Sequence, residues 1–163
     1  MPKDEIIGEI GMRLRLLQES FDAFDEAVAA RLGLNRTDTR CLDVVLGRGP
    51  LAAGELSVQL KLSPAATTTV IDRLVRAGFV TRTQDPANRR RVLVEATEGA
   101  RVMAGEIFGP VGRAGAKALA RYDPDQLAVI LDFLGTALEV HRAQTDRQVA
   151  ARNAASTPKS HSR

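Results

Sequence analysis

The sequence predicts a mainly α-helical chain that carries one small β-hairpin. Apolar residues recur every three or four positions through most of the 163 residues, which is the spacing of amphipathic helices. Residues 79–83 and 92–95 are instead short and β-branched, and they flank a turn that contains Asp85-Pro86, as in a hairpin. The expected order is four helices, the hairpin and two further helices.

The first helix is predicted over residues 4–32. Its apolar positions keep the helical period for about eight turns, and Gly33 supplies a C-terminal stop. A helix of this length in a small protein needs a partner along much of its length. Its apolar stripe consists of Ile6, Ile7, Ile10, Leu14, Leu17, Phe21, Phe24, Val28 and Leu32.

Two shorter helices are predicted next. The second covers residues 37–46, with Asn35 or Thr37 as its N-cap, and Gly47 and Gly49-Pro50 are expected to break it. The third covers residues 52–60 and begins without the serine or threonine that usually caps a helix.

Ser63-Pro64 predicts the start of a fourth helix. A serine hydroxyl caps free N–H groups, and proline at the first helical position loses no hydrogen bond. The helix is expected to end at Ala77-Gly78. Its inward face is expected to hold Thr67, Val70, Ile71 and Leu74. Its exposed side then carries Ala65, Thr68, Thr69, Asp72, Arg73 and Arg76.

Positive charge is concentrated around the hairpin. The net charge of +3 and the isoelectric point near 9.5 are only mildly basic for the whole chain. Six arginines nevertheless lie close together in the sequence: Arg73, Arg76, Arg82, Arg89, Arg90 and Arg91, the last three at the predicted hairpin tip. This surplus suits a polyanionic partner, although a solvated basic face without any partner fits the same pattern.

Two helices are predicted after the hairpin. The first runs from Thr97-Glu98 to about residue 122 and is weakened or kinked by several glycines and Pro110. The second begins at Asp123 with a capping-box pattern, and its apolar stripe continues to His141. Residues 146–163 are polar and are predicted to form a disordered tail.

Composition excludes several classes of protein. The single cysteine, Cys41, rules out an internal disulfide framework and a multi-cysteine zinc site. No apolar run approaches the roughly 20 residues of a membrane span, and the N-terminus lacks a signal-peptide core, so a cytoplasmic protein is expected. Aromatic residues are too scarce for a platform that stacks single-stranded bases.

No constellation of catalytic residues stands out. The sequence lacks a Ser-His-Asp, paired-carboxylate or glycine-rich phosphate pattern, so no enzyme activity, catalytic residue or cofactor is expected. The only histidines are His141 and His161, and no metal site is expected from them.

The third and fourth helices, together with the hairpin, form the pattern of a winged helix-turn-helix. The apolar stripes of the outer helices need burial, and a second copy of the chain is the natural surface for them. We therefore expect four segments: an N-terminal dimerisation helix at 4–34, a DNA-binding domain at 35–96, C-terminal dimerisation helices at 97–145 and the tail at 146–163.

Two stretches resemble the MarR family of transcriptional regulators. They are LSPAATTTVIDRLVRAGFVTR at 62–82 and the wing DPANRR at 85–90, which is followed by VLVEATEGA. The resemblance covers about residues 5–145, with Asn88 where the family usually has aspartate and Ala96 where it has leucine. It implies an obligate homodimer that binds a palindromic operator in double-stranded DNA, commonly as a repressor relieved by a small ligand or by oxidation.

In such a dimer the two fourth helices would enter successive major grooves, about 34 Å apart. Thr68 and Thr69 are expected to contact base edges, and Arg73 a phosphate or a guanine edge. Ser63 is expected to meet a phosphate, because helix N-termini favour anions.

The hairpin supplies the wing contacts. Arg89 and Arg90 suit insertion into an adjacent narrow minor groove, and Arg91 begins the return strand beside them. Asp85 is expected to orient an arginine, since a carboxylate would repel phosphate.

Other interpretations stay open. The basic face fits an acidic protein partner as well, and steep salt dependence with sequence discrimination on duplex DNA would exclude that alternative. A small-molecule sensor whose DNA role is secondary, or a constitutive regulator that has lost its ligand, is also compatible with the sequence. Cys41 lies beside an apolar stripe, which favours a buried small side chain over a redox sensor.

Overall fold

The computed structural model describes residues 1–155, apart from the side chains of Arg90, Asn153 and Ala155. The chain forms two compact units, Met1–Pro110 and the part from Val111 onward. Within the described residues, none of the helices has both the length and the apolar character needed to cross a membrane. In chain order the elements are α1 (Lys3–Leu32), α2 (Arg36–Arg48), β1 (Leu51–Ala52), α3 (Ala53–Leu60), α4 (Pro64–Arg76), β2 (Val80–Asp85), β3 (Asn88–Ala96), α5 (Glu98–Leu119) and α6 (Pro124–Ala155).

The predicted first helix is confirmed as α1. It ends at Gly33, which has the left-handed φ of 64° that glycine adopts without strain. Only Val28 and Ala29, near its end, are buried. The apolar stripe before them stays largely exposed.

Asn35 is the N-cap of α2, and it is one of the two residues that the sequence offered for this role. Its Oδ1 accepts hydrogen bonds from the backbone N–H groups of Thr37 and Asp38, each at 2.9 Å. Of the two expected breaks, the one at Gly49-Pro50 is confirmed and the one at Gly47 is wrong, since α2 continues to Arg48. Glycine inside a helix costs only about 1 kcal/mol, whereas Gly49 has φ 81°, which ends the helix.

The core of the first unit joins α2, α3, α4 and the sheet. All four residues of the predicted inward face of α4 are buried: Thr67, Val70, Ile71 and Leu74. Val70, Ile71 and Leu74 pack with Leu42 and Val45 of α2 and Leu56 of α3. This packing fixes which side of α4 faces outward.

The sheet has three antiparallel strands in the order β1-β3-β2. The hairpin was predicted, but β1 was not, because its two residues pair with Leu93 and Val94, which are distant in sequence. The hairpin is also longer than predicted, and its turn consists of Pro86 and Ala87.

The three wing arginines follow the turn rather than forming it. Gln84 pairs with Val92 and Asp85 with Asn88, so residues 89–91 of β3 have no counterpart in β2. Such a bulge re-aims side chains away from the regular alternation of a strand. The expected position of the arginines at the hairpin tip therefore shifts to the start of β3.

The C-terminal helices keep their predicted starts. Asp123 and Gln126 form a complete capping box, with hydrogen bonds of 2.8 and 3.1 Å. The disordered tail expected from residue 146 is not observed up to Ala155, where α6 ends, because residues 146–155 are rich in the good helix formers alanine, arginine and glutamine. The remainder, 156–163, lies outside the described residues.

Candidate nucleic-acid interface

The N-terminus of α4 is held by Ser63, as predicted. The Ser63 Oγ accepts a hydrogen bond of 3.2 Å from the backbone N–H of Ala66, and Pro64 occupies the first helical position. Ser63 is exposed, so its hydroxyl caps the helix at the surface of the protein. The structure thus supports its capping role, and a phosphate contact stays a prediction.

Three consecutive threonines divide between the two faces of α4. Thr67 is buried, and its Oγ1 accepts a hydrogen bond of 2.9 Å from Ser57 of α3. Thr68 and Thr69 are exposed, and their hydroxyls donate to the carbonyl oxygens four residues earlier, at 3.0 and 3.1 Å. With these protons used, the two hydroxyl oxygens remain as outward acceptors, each beside an exposed methyl group.

Arg73 has an intramolecular partner that the sequence did not indicate. Its Nη2 donates to Asp38 Oδ1 at 2.6 Å, and its Nε donates to Oδ2 at 2.9 Å. The hydrogen bonds that Arg73 donates to Asp38 raise the pKa of the Arg73 guanidinium, so its charge is firmly retained. Asp38 is the third residue of α2, where an acid is ordinary in a helix N-terminus, so its sequence context gave no signal.

The wing base is held by two further ion pairs. Arg91 Nη2 lies 2.7 Å from Glu55 Oε2 of α3, and Arg91 Nη1 lies 3.6 Å from Asp85 Oδ2. Asp85 also accepts a hydrogen bond of 2.9 Å from the N–H of Ala87, in the turn. Asp85 therefore contacts Arg91, and its role in orienting that arginine stays a prediction.

Glu55 binds both the N-terminus of α3 and the guanidinium of Arg91. The backbone N–H of Ala52 and the guanidinium of Arg91 lower the pKa of its carboxyl group, the first being the larger cause. The Ala52 N–H donates to Glu55 at 2.8 Å, which is half of a capping box for α3, because alanine has no hydroxyl for the other half. Arg82 similarly pairs with Asp72 of α4.

The basic surface is smaller than the sequence count of six arginines. Arg73, Arg82 and Arg91 are each paired with a carboxylate. Arg76 and Arg89 are exposed, and neither pairs with a carboxylate within the described part of the chain. Arg90 lies in β3, but its side chain is outside the described residues.

Cys41 is fully buried in the core of the first unit. Burial, and secondarily the charge of Asp38, raises the pKa of its thiol to about 11. A thiolate is the reactive form of cysteine, so this thiol is poorly suited to sensing oxidants. Within residues 1–155, no group of three or more potential ligands is arranged to hold a metal ion.

We expect native Cys41 to react with a disulfide reagent such as DTNB only as fast as the protein unfolds. Full labelling in denaturant provides the internal reference, and a Cys41→Ala variant supplies the blank. The folded state keeps the thiol protonated up to about pH 11, against 9.0 for an ordinary thiol. The stabilisation that the protonated Cys41 thiol contributes is therefore fully present below pH 9, and it is lost as pH rises from 9 towards 11. Rapid stoichiometric labelling of the native protein at pH 7 would contradict the prediction that Cys41 reacts only after unfolding.

Comparison with known proteins agrees with the arrangement of α4 and the hairpin. A family model described as the MarR family matches residues 34–92. The HTH-type transcriptional regulator YcgE of Bacillus subtilis is 32% identical over 124 residues, which are 76% of this chain and 80% of that protein. The regulator YkoM of the same organism is 32% identical over 106 residues, which are 63% of this chain and 69% of that protein.

Solved structures share the fold. A MarR family protein from Bacillus stearothermophilus has a TM-score of 0.60 at 21% identity, over 89% of this chain and 99% of that chain. Wild-type MarR from E. coli has a TM-score of 0.54 at 22% identity, over 85% and 98% respectively. The similarity thus extends from the recognition helix and wing to most of the chain. The protein belongs to the MarR family of DNA-binding transcriptional regulators and is not an enzyme.

Proposed function

We propose that this regulator acts as a cytoplasmic homodimer on a palindromic operator, as a repressor that a small molecule releases. The observation that carries the DNA contact is the outward face of α4. Its opposite face is packed in the core, so Thr68 and Thr69 are turned outward with acceptor oxygens and methyl groups. Those groups match the amino groups and thymine methyls that bases present in a major groove.

The remaining contacts follow from the side chains around α4. Ser63 at its N-terminus would meet a phosphate, and Arg89, with Arg90 beside it in the sequence, would enter the minor groove. Arg91 would contribute mainly by holding the wing, since Glu55 and Asp85 already bind its guanidinium. Asp85 would fix the turn and Arg91 together rather than contact DNA.

Dimerisation is supported by apolar side chains that each unit leaves exposed. In α1 these include Ile10, Leu17 and Phe21, and in α6 they include Leu134 and Leu138. Both sets recur at three- and four-residue spacing, so each forms a stripe along its helix. Stripes of this extent rarely face water in a monomer, and burial against a second copy would join two recognition helices in one assembly.

Arg89→Ala is expected to weaken binding to a selected duplex roughly 30-fold, because a dimer loses two unpaired charges. The slope of log affinity against log salt concentration should become shallower by about 1.8, or about 0.9 for each arginine charge lost from the groove between the phosphates. Fluorescence anisotropy at several salt concentrations measures both quantities. Arg113→Ala, on an exposed residue of α5, removes the same charge and should leave the slope unchanged.

The duplex for this experiment comes from selection on random DNA, with scrambled duplex as competitor. Wild-type protein should enrich an inverted repeat whose half-sites are about one helical turn apart. An Arg89→Ala protein that keeps wild-type affinity and slope would remove the wing from the proposed interface. Failure of wild-type protein to enrich any sequence would refute sequence-specific binding.

Release by a small molecule is supported by a cavity between α1 and α2, within the first unit. Its volume is about 430 Å³, and its charged lining consists of Asp22, Asp25, Glu26, Asp43, Arg36 and Arg40. Partial desolvation by its neighbours, and secondarily the charge of Asp25, raise the pKa of the Asp43 carboxyl group. The acidic excess favours a cationic compound, and α2 also carries the Asp38 that binds Arg73 of α4.

Two probes of nearly equal shape and opposite charge test this cavity. Tetraphenylphosphonium is expected to raise the thermal midpoint of the protein and to lower its affinity for the selected duplex, whereas tetraphenylborate should do neither. Asp25→Asn should reduce the response to the cation. Equal responses to both ions, or a response unchanged by Asp25→Asn, would show that this cavity is not the effector site.

A further inference from the structure

The ion pair between Asp38 and Arg73 differs from the others in the first unit. Its carboxylate is the least exposed among the described ion pairs, with a side chain only 4% accessible, and the guanidinium is 36% accessible. Three hydrogen bonds of 2.6 to 3.1 Å join the two groups, which lie on α2 and α4 and are 35 residues apart in sequence. This is the fork geometry in which arginine and a carboxylate define each other's orientation.

Arg73 stands on the outward part of α4, one turn after Thr69. An open groove runs between the start of α2 and this part of α4, and its lining includes Asn35, Thr37, Thr69 and Arg73. The position and charge of Arg73 therefore agree with the predicted contact to a phosphate or a guanine edge. The carboxylate of Asp38, however, occupies the Nε and Nη2 side of the guanidinium and cancels its charge.

We infer that Asp38 and Arg73 form a neutral strut that sets the orientation of the recognition helix, and that both are positioning residues for DNA recognition. This inference rests on the proposed function. A neutral pair attracts phosphate weakly, so Arg73 adds little to the salt-dependent part of binding. Its contribution comes through Thr68 and Thr69, whose reach to base edges depends on how α4 is held against α2.

A double-mutant cycle tests the strut with Asp38→Asn, Arg73→Met and the double variant. Affinities are measured on the selected duplex and on a scrambled duplex, at a temperature where circular dichroism shows each variant to be folded. Each single variant should lower the ratio of specific to scrambled affinity about tenfold. The double variant, which removes both charges together, should do no worse than either single one, and its salt slope should stay at the wild-type value.

Arg73→Lys separates a strut from a charge contact. Lysine keeps the positive charge and binds phosphate well, but it cannot form the two-pronged contact with Asp38. For a strut, Arg73→Lys should lose discrimination as Arg73→Met does. Arg76→Ala is the matched control on the same helix, since Arg76 is exposed without a carboxylate partner among the described residues, and it should keep the wild-type ratio of specific to scrambled affinity.

Two results would overturn the inference. One is a shallower salt slope for Arg73→Met together with near wild-type binding by Arg73→Lys, which marks a direct phosphate contact. The other is tighter DNA binding by Asp38→Asn, which would mean that Asp38 restrains a contacting arginine. If wild-type protein itself does not discriminate between duplexes, the proposed function fails and the inference fails with it. If only the variants match wild type, the inference alone fails.

Discussion

Leu134→Arg is expected to convert the protein from a dimer to a monomer. Leu134 and Leu138 lie one turn apart on α6 and are 48% and 50% exposed in the single chain. In a dimer that buries this stripe, the substituted arginine would be a buried, unpaired charge, which costs several kcal/mol in each copy. Light scattering on a sizing column should then give the 17.6 kDa of one chain instead of about 35 kDa for two.

The same substitution should weaken binding to a two-fold symmetric duplex at least about 100-fold, because two linked lobes gain that much from binding together. Thr136→Arg is the matched control. It adds the same charge to the same helix, but two residues along, which is about 200° around the axis. It should remain dimeric and bind DNA normally. A dimeric Leu134→Arg protein would exclude this stripe of α6 from the interface.

Local signals in the sequence were sufficient for most of the helices. The Ser63 cap, the Asp123–Gln126 capping box and the left-handed Gly33 each depend on residues within one turn, and each is observed. The inward face of α4 follows from its spacing alone, since the helical period places Thr67, Val70, Ile71 and Leu74 together. The family resemblance then supplied the arrangement of these elements.

Contacts between distant residues were the part that the sequence did not disclose. β1 consists of two residues that are a strand only because β3 lies beside them. Arg73 pairs with Asp38 on α2, and Arg91 pairs with Glu55 on α3. No local pattern around either arginine indicates these partners. Counting charge along the chain therefore overestimated the charge available to DNA, because three of the six arginines are paired inside the first unit.

Leu74→Ala is expected to destabilise the DNA-binding region by about 3 kcal/mol, within the range of 2 to 5 that buried leucines show. Leu74 is fully buried on α4 and packs in the cluster that joins α2, α3 and the sheet. The loss combines transfer of the side chain from water with the cavity left behind. Urea unfolding followed by circular dichroism, at one fixed protein concentration, should show a lower midpoint with an unchanged slope.

Val58→Ala is the matched control, because Val58 is 74% exposed on α3 and should cost less than about 0.5 kcal/mol. Since Leu74 faces away from the proposed DNA contacts, the folded fraction of Leu74→Ala should keep its discrimination between selected and scrambled duplexes. That result would contrast with Asp38→Asn, which should lose discrimination while still folded. Equal unfolding midpoints for Leu74→Ala and Val58→Ala would contradict the core assignment of α4. Lost discrimination in folded Leu74→Ala would mean that core packing, and not the Asp38–Arg73 pair alone, sets the orientation of the recognition helix.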